Sequence, residues 1–327
     1  MIFSFSHSSF RSSRRGVSAA VLVLAPAWAA ACDLCSAYSE SDAHGISRPG
    51  WSFSAATQFT HFATLLDAGR KVSNPAAQRL DSAITQAVAT YRFDDRFSAQ
   101  LNVPFIHRSF RRPDGFAIEQ GHESGLGDAS VLGHWTALRT ETEKISLGVN
   151  FLAGLKFATG SARRIAEEFS ESEMPGAPAS GVHGHDLTLG TGSTDALLGI
   201  QAFVRVGRAF ASASLQHTAR RAGRYDYRFA DDLTWEFAPG FHLVRSSDRV
   251  FAFQAVLSGE HKGTDTLAGL RADDTGVTSF YAGPRLTYTQ AAKLNAEFGV
   301  DFPVRIDNTA LQLTPDYKLR ASVTWGF

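Results

Sequence analysis

The run Leu294-Asn295-Ala296-Glu297-Phe298-Gly299-Val300-Asp301-Phe302-Pro303-Val304-Arg305-Ile306 alternates apolar residues with polar or small ones without a break. Successive side chains of a strand point to opposite faces. As a strand, this stretch has one wholly apolar face and one carrying Glu297, Asp301 and Arg305. A helix would scatter the same residues around its circumference. The stretch is also far longer than the roughly five or six residues of an ordinary globular strand.

The period of two recurs along the chain. Tyr317, Leu319, Ala321, Val323, Trp325 and Phe327 alternate with Lys318, Arg320, Ser322, Thr324 and Gly326. Phe97, Ala99, Leu101, Val103 and Phe105 face away from Ser98, Gln100 and Asn102. The same rule holds over 145–157 and 232–243, and more weakly over 51–62, 81–93, 126–139, 195–206, 209–217, 250–260 and 277–290. About twelve strands result, each near or above the roughly nine to eleven residues of a tilted membrane-crossing strand.

The connections alternate in length. Short polar links fall at 94–96, 140–144, 207–208, 246–249 and 290–293; long polar loops are expected at 64–80, 107–125, 159–194, 218–231, 261–276 and 307–316. Tight turns at one end and long loops at the other mark an all-β, antiparallel up-and-down transmembrane barrel. An even strand count puts both ends of the barrel segment on the short-turn side, which is periplasmic in an outer membrane. Aromatic residues then gather at two levels. Trp51, Phe53, Tyr91, Phe93, Phe97, Trp135, Phe251, Tyr288, Trp325 and Phe327 fall low; Phe59, Phe105, Phe157, Trp235, Phe280, Phe302 and Tyr317 fall high. Such girdles suit the headgroup boundary. A soluble β-sandwich also alternates, but its strands are shorter and its loops need not alternate in length.

Ahead of the barrel, Arg11, Arg14 and Arg15 precede a short apolar run at 16–24 and small-x-small sites around Ala29 and Ala31. That is the layout of a secretory signal peptide. The residues after Arg14-Arg15 fit a twin-arginine signal poorly, so the ordinary secretion route is expected. The expected division is signal peptide 1–31, a periplasmic segment 32–50 and the barrel 51–327.

Lys plus Arg and Asp plus Glu balance at 32 each. There is no basic excess, which argues against a nucleic-acid partner. Cys32-Asp33-Leu34-Cys35 lacks the His that haem attachment needs, since Ser36 comes next. In an oxidising periplasm Cys32 and Cys35 can close as a disulfide. Capture of a metal by the two thiolates and lipidation of Cys32 are the other readings. His183 and His185 in the longest loop are weak metal candidates against a plain solvated loop. A short surface helix is expected over 162–172 of that loop.

The lumen-facing set is Arg92, Gln100, Asn102, Lys156, Gln201, Arg205, Glu236, His242, Arg285, Glu297, Asp301, Arg305, Lys318 and Arg320. Glu297 and Asp301 lie one strand from Lys318 and Arg320, so cross-strand ion pairs are expected. These charges either neutralise one another or form a constriction that tunes which solutes pass. Pro104, Pro239, Pro284 and Pro303 fall inside strands, where each removes a ladder donor. They either end the strand or kink the wall.

The final segment, with Tyr317, Trp325 and terminal Phe327, resembles the assembly signal of bacterial outer-membrane barrels. The resemblance implies insertion by the barrel-assembly machinery into outer-membrane lipid. Leu101-Asn102-Val103-Pro104-Phe105 and, beyond a long loop, Gly125-Leu126-Gly127-Asp128-Ala129-Ser130 are similar to the phenol-degradation meta-pathway proteins. Members of that family are outer-membrane barrels presumed to carry small, often aromatic or apolar compounds. The resemblance implies a small-solute channel without a cofactor. Two other readings stand beside it: a structural or metal-binding barrel, and a barrel hydrolase. The second lacks support from His217-Thr218-Ala219, where outer-membrane lipases carry Ser two positions after the His.

Overall fold

The computed structural model describes residues 49–169, 175–291 and 293–327. The expected signal peptide and the Cys32-Asp33-Leu34-Cys35 motif lie outside the described residues. Twelve long antiparallel strands form the wall. They are β1 Gly50–Asp67, β2 Arg79–Arg92, β3 Phe97–Asp114, β4 Ser130–Glu141, β5 Ile145–Lys156 and β6 Asp195–Val206. β7 Ala209–Ala219, β8 Asp232–Arg245, β9 Arg249–Lys262, β10 Val277–Gln290, β11 Leu294–Asn308 and β12 Gln312–Gly326 complete the set.

Each strand pairs with its sequence neighbours, and β12 returns to β1 from Ser52↔Gly326 to Leu66↔Gln312. Closure leaves no sheet edge at the bottom of the wall, where an unpaired edge in hydrocarbon would be costly. Alternation sets the two faces. On β3, Phe97, Leu101 and Phe105 are about half exposed, while Ser98, Gln100 and Asn102 are buried. The apolar set thus covers the outside of the cylinder and the polar set lines the inside.

Close packing leaves no room for side chains at some wall positions. A Cβ on Gly283 would sit inside the Val300 carbonyl oxygen of the neighbouring strand. Gly207 instead occupies a two-residue turn with φ +63°, a backbone state that favours glycine, and has open space around it.

Several long loops expected from the sequence are extensions of the wall. β3 runs on through the expected loop 107–125, and Ala117–Leu126 returns beside it as a hairpin. The alternation continues there, with Ile106, Arg108, Phe110 and Arg112 all buried on the inner side. Polar residues on both faces read as a loop, yet Arg108 and Arg112 each have a partner inside the mouth. The strand expected over 126–139 accordingly begins later, at Ser130. The loop expected at 307–316 is only a tight turn between β11 and β12.

The connection between β5 and β6 folds inward over its described residues, 157–169 and 175–194. Its expected surface helix is a 3-10 turn, Arg163–Phe169, whose Ile165 is fully buried against Tyr227 and Phe229. Val182 and Leu187 pack on Leu65, Leu80, Phe110 and Leu313 of the inner wall. Leu189 packs on Ile84 and Ile106. Each such burial is worth ~1.5–3 kcal/mol relative to exposure. The outer half of the lumen therefore has an apolar core, and the inserted loop is its centre.

Candidate functional site

Three of the charged assemblies among the described residues bear on the lumen, two at the outer mouth and one at mid-height. The first holds the inserted loop. Asp128, from the Gly-Leu-Gly-Asp stretch, accepts the Gly160 amide at 2.9 Å and the Thr191 amide at 2.8 Å. One carboxylate thus ties both ends of the loop. Lys156 bridges Asp128 at 2.9 Å and Asp195 at 2.7 Å. Arg220 extends the chain to Asp195 at 3.3 Å and Asp232 at 2.5 Å. All five side chains are buried, so each charge depends on its neighbours to offset its lost hydration.

The second assembly faces it at the mouth. Glu123 of the hairpin accepts from Arg163 at 2.6 Å and Arg164 at 2.8 Å. Burial alone would raise the Glu123 carboxyl, but the two guanidinium groups outweigh it and lower it. Arg112 reaches Glu119 at 2.7 Å and Glu167 at 2.8 Å. Arg108 donates to the backbone oxygens of Asp186 and Thr188. His183 and His185 stack at 5.7 Å. His185 is buried against Glu168 at 3.0 Å, and His183 meets Asp274 at 3.4 Å. The expectation of a solvated loop is therefore replaced by a packed, ion-paired one. No group of three or more metal-ligating side chains gathers among the described residues.

The third assembly lies at mid-height. Arg285 makes a two-pronged pair with Glu236 at 2.7 and 2.6 Å. Arg320 joins Glu236 at 3.2 Å and Asp301 at 3.0 Å. The anticipated pairing across β11 and β12 is thus present for Asp301 and Arg320. Lys318 goes elsewhere: it reaches Glu260 at 3.3 Å and lies 4.2 Å from the Tyr281 ring centroid. Glu297 sits on the same inner face of β11, half-buried.

The opposite wall is uncharged at this height. Asn102 donates to Gln86 at 3.0 Å, with Gln100, Gln201, Leu132 and Leu152 buried around them. At mid-height the lumen is therefore asymmetric, ionic on β8–β12 and amide or apolar on β2–β6. Towards the short turns Arg92, Arg205 and His242 are buried. Arg205 donates to Ser146 at 2.6 Å, and His242 stacks on Phe210 at 4.6 Å.

Arg305 departs from its expected place. A bulge in β11 sets Phe280 opposite Arg305 and Tyr281 opposite Pro303, leaving Val304 extra. The extra residue reverses the alternation above it. Arg305 is 58% exposed and pairs with Asp307 at 2.7 Å on the outside, while Ile306 turns inward to line a cavity. The sequence reading missed Asp128, Arg220, Glu260 and Tyr281 as members of these groups. Only Asp128 carried a signal, as part of a short motif.

At the closing seam Trp325 and Phe327 point outward; Phe327 meets Phe53 edge-on at 5.9 Å and donates its amide to Trp51 at 3.0 Å. Tyr317 stacks on His61 at 5.4 Å near the upper rim.

This architecture matches a solved one. A crystal structure of an outer membrane channel from Pseudomonas putida F1 superposes with a TM-score of 0.61, over 89% of this chain and 100% of that one, at 13% identity. The likeness is one of fold. The translocator domain of the autotransporter NalP from Neisseria meningitidis gives 0.45 at 12% identity, over 88% of this chain and 92% of its own. The β domain of the Bordetella autotransporter BrkA gives 0.46 at 9% identity, over 86% and 100%. These last two are too slight to add to the first. No family model matches the sequence, and no curated protein matches it.

Proposed function

We propose that this protein is an outer-membrane channel through which small solutes, aromatic or apolar ones included, cross by passive or facilitated diffusion. One observation carries the reading: a closed wall is apolar outside and polar inside, and its outer mouth is narrowed by a loop packed into the lumen. The Pseudomonas putida protein of the same fold is an outer membrane channel, and the resemblance to phenol-degradation meta-pathway proteins points the same way. The signal-peptide layout read at 1–31 supports export, and the resemblance of Tyr317, Trp325 and Phe327 to an assembly signal supports delivery by the barrel-assembly machinery.

The asymmetric lumen suits solutes with an apolar body and a polar end. The amide and apolar wall accepts the body, while Glu236, Arg285 and Arg320 hold one another and leave a fixed field rather than a sink for ions. Reconstitution in planar bilayers tests the reading, with heat-modifiable migration as proof of folding. Folded protein that gives neither ion conductance nor solute-driven liposome swelling would overturn it.

A further inference from the structure

The short-turn end of the lumen carries cations without matching carboxylates. Arg205 of β6, Phe210 of β7 and His242 of β8 lie side by side on the inner face there. Phe210 is opposite Arg205, and its ring stacks on His242 at 4.6 Å. The Phe203 ring follows at 6.0 Å from that of Phe210. Arg205 is 5% exposed and His242 is 4% exposed. Higher in the lumen Arg220, Arg285 and Arg320 each meet a carboxylate. Arg205 donates only to neutral oxygens: the Ser146 hydroxyl at 2.6 Å and the carbonyls of Thr142, Glu143 and Gly207 at 3.3, 3.4 and 3.5 Å. The His242 Nδ1 has no hydrogen-bond partner among the described residues. A buried charge without a counter-charge is costly to keep.

Two bulges add to the imbalance. Ala137 is extra in β4, between Thr136↔Asn150 and Leu138↔Val149. Leu243 is extra in β8, between His242↔Ala252 and Val244↔Phe251. One extra residue reverses the alternation beyond it. Leu138 and Val244 are thereby exposed on the outer face. Arg139 and Arg245 move to the inner face, opposite Gly148 and Val250. Regular strands would have pointed both arginines at lipid. The positive charge of Arg245 bears on Arg205 and on His242, and that of Arg208, in the turn between β6 and β7, bears on His242. Arg208 and Arg245 are exposed and form no ion pair among the described residues. The nearby carboxylates do not restore the balance. Glu141 bears on Arg205, but it is exposed and lies 3.8 Å from Arg139. Asp248, in the next turn, pairs with Arg249 at 3.3 Å.

We propose that Arg205, His242 and Arg245 form a binding site for the carboxylate group of a small organic anion, at the periplasmic exit of the lumen. The proposal rests on the channel reading above and names the charge of the solute's polar end. A guanidinium presents a planar fork of N–H donors that matches a carboxylate. The bonds from Arg205 to the three carbonyls are longer than ordinary hydrogen bonds, so the fork can exchange them for an anion. Arg245 and Arg208, at the exposed rim, hold the local potential positive. Phe203 and Phe210 offer aromatic surface to an apolar body, and the His242 imidazole supplies a further nitrogen beside the charge.

Equilibrium dialysis of radiolabelled benzoate against the protein folded in detergent tests the site, beside potassium chloride conductance of the parent in planar bilayers. Saturable binding that weakens roughly tenfold or more in Arg205→Gln is the expected result. Arg205→Lys, which keeps the charge and loses the fork, should fall between that variant and the parent. Arg245→Gln should weaken binding severalfold, and its exposed position keeps the test open if Arg205→Gln does not fold. Heat-modifiable migration establishes folding for each variant. Benzyl alcohol, close in shape but uncharged, should bind far more weakly than benzoate. A conducting parent without saturable benzoate binding overturns the site and leaves the channel standing. Benzyl alcohol bound as tightly as benzoate, or benzoate bound equally by the parent and the folded glutamine variants, does the same. A folded parent that neither conducts nor swells liposomes overturns the channel reading, and with it the place of the site on a solute path.

Discussion

The Asp128 carboxylate holds the Lys156 ammonium at 2.9 Å while binding the amides of Gly160 and Thr191 at the two ends of the inserted loop. Asp128→Asn keeps the shape and removes the charge, leaving Lys156 with Asp195 alone. Breaking a buried ion pair from one side costs roughly 3–5 kcal/mol. We expect a lower denaturant midpoint and faster trypsin cutting after Arg163 and Arg164. A variant with the parent's midpoint and cleavage rate would show that the loop is anchored elsewhere.

Docking of the loop should depend on pH. Burial disfavours the His185 cation, but Asp186 and Glu168 beside it prevail and raise its pKa from 6.5 to about 10. Burial likewise opposes the Glu168 anion, but His185 outweighs it and lowers the carboxyl from 4.5 to about 2. The raised His contributes fully below 6.5 and loses its contribution as pH climbs through about 10. The depressed Glu contributes fully above 4.5 and loses its contribution as pH falls through about 2. Loop amides at 181–189 should exchange hydrogen most slowly, after correction for intrinsic rates, between pH 4.5 and 6.5. His185→Gln should flatten the alkaline side. Protection that keeps rising to pH 10 would contradict this assignment.

The mid-height network sets the sign of the lumen. Glu236→Gln leaves Arg285 and Arg320 less compensated, and Arg285→Gln leaves Glu236 and Asp301 with one cation between them. Reversal potentials in a salt gradient should move towards anion preference in the first variant and towards cation preference in the second. Equal reversal potentials in both would place the selectivity elsewhere, with Arg92 and Arg205 the next to replace.

Two glycines should respond in opposite degree. Gly283→Ala thrusts a methyl into the backbone of β11, and overpacking of that kind costs ~1–3 kcal/mol or more. Gly207→Ala meets no atom within 4 Å and bears only the positive φ, a penalty of roughly 1 kcal/mol. The fraction of heat-modifiable protein recovered from membranes should fall sharply for the first and little for the second. The reverse order would mean that the wall yields at Gly283.

Period-two alternation was readable because lipid outside and side chains inside impose it on every strand. It located all twelve wall strands, and it placed Gln100, Asn102, Glu236 and Arg285 on one face. It failed where the solvent changes. Above the girdle the outside of β3 meets water, so the outward His107, Ser109 and Arg111 break the apolar row and the stretch reads as loop although the strand continues. It failed again at Val304, where one extra residue turns Arg305 outward with no mark in the pattern. Partnerships between distant segments, such as Arg220 with Asp195 and Asp232, depend on three-dimensional closure and left no local trace. Pro315 passed unnoticed because the strand it interrupts was taken to begin after it.

The bond between Ser54 and Thr324 spans 270 positions of sequence, and every contact of its ladder has a separation nearly as large. Non-local pairing of this order makes folding slow, since chain entropy is spent before contacts repay it. A nascent chain lacking β12 has two bare edges and nothing to join them. Synthesis must therefore pass β12 before the wall can close, and until then its greasy strands stand open to aggregation.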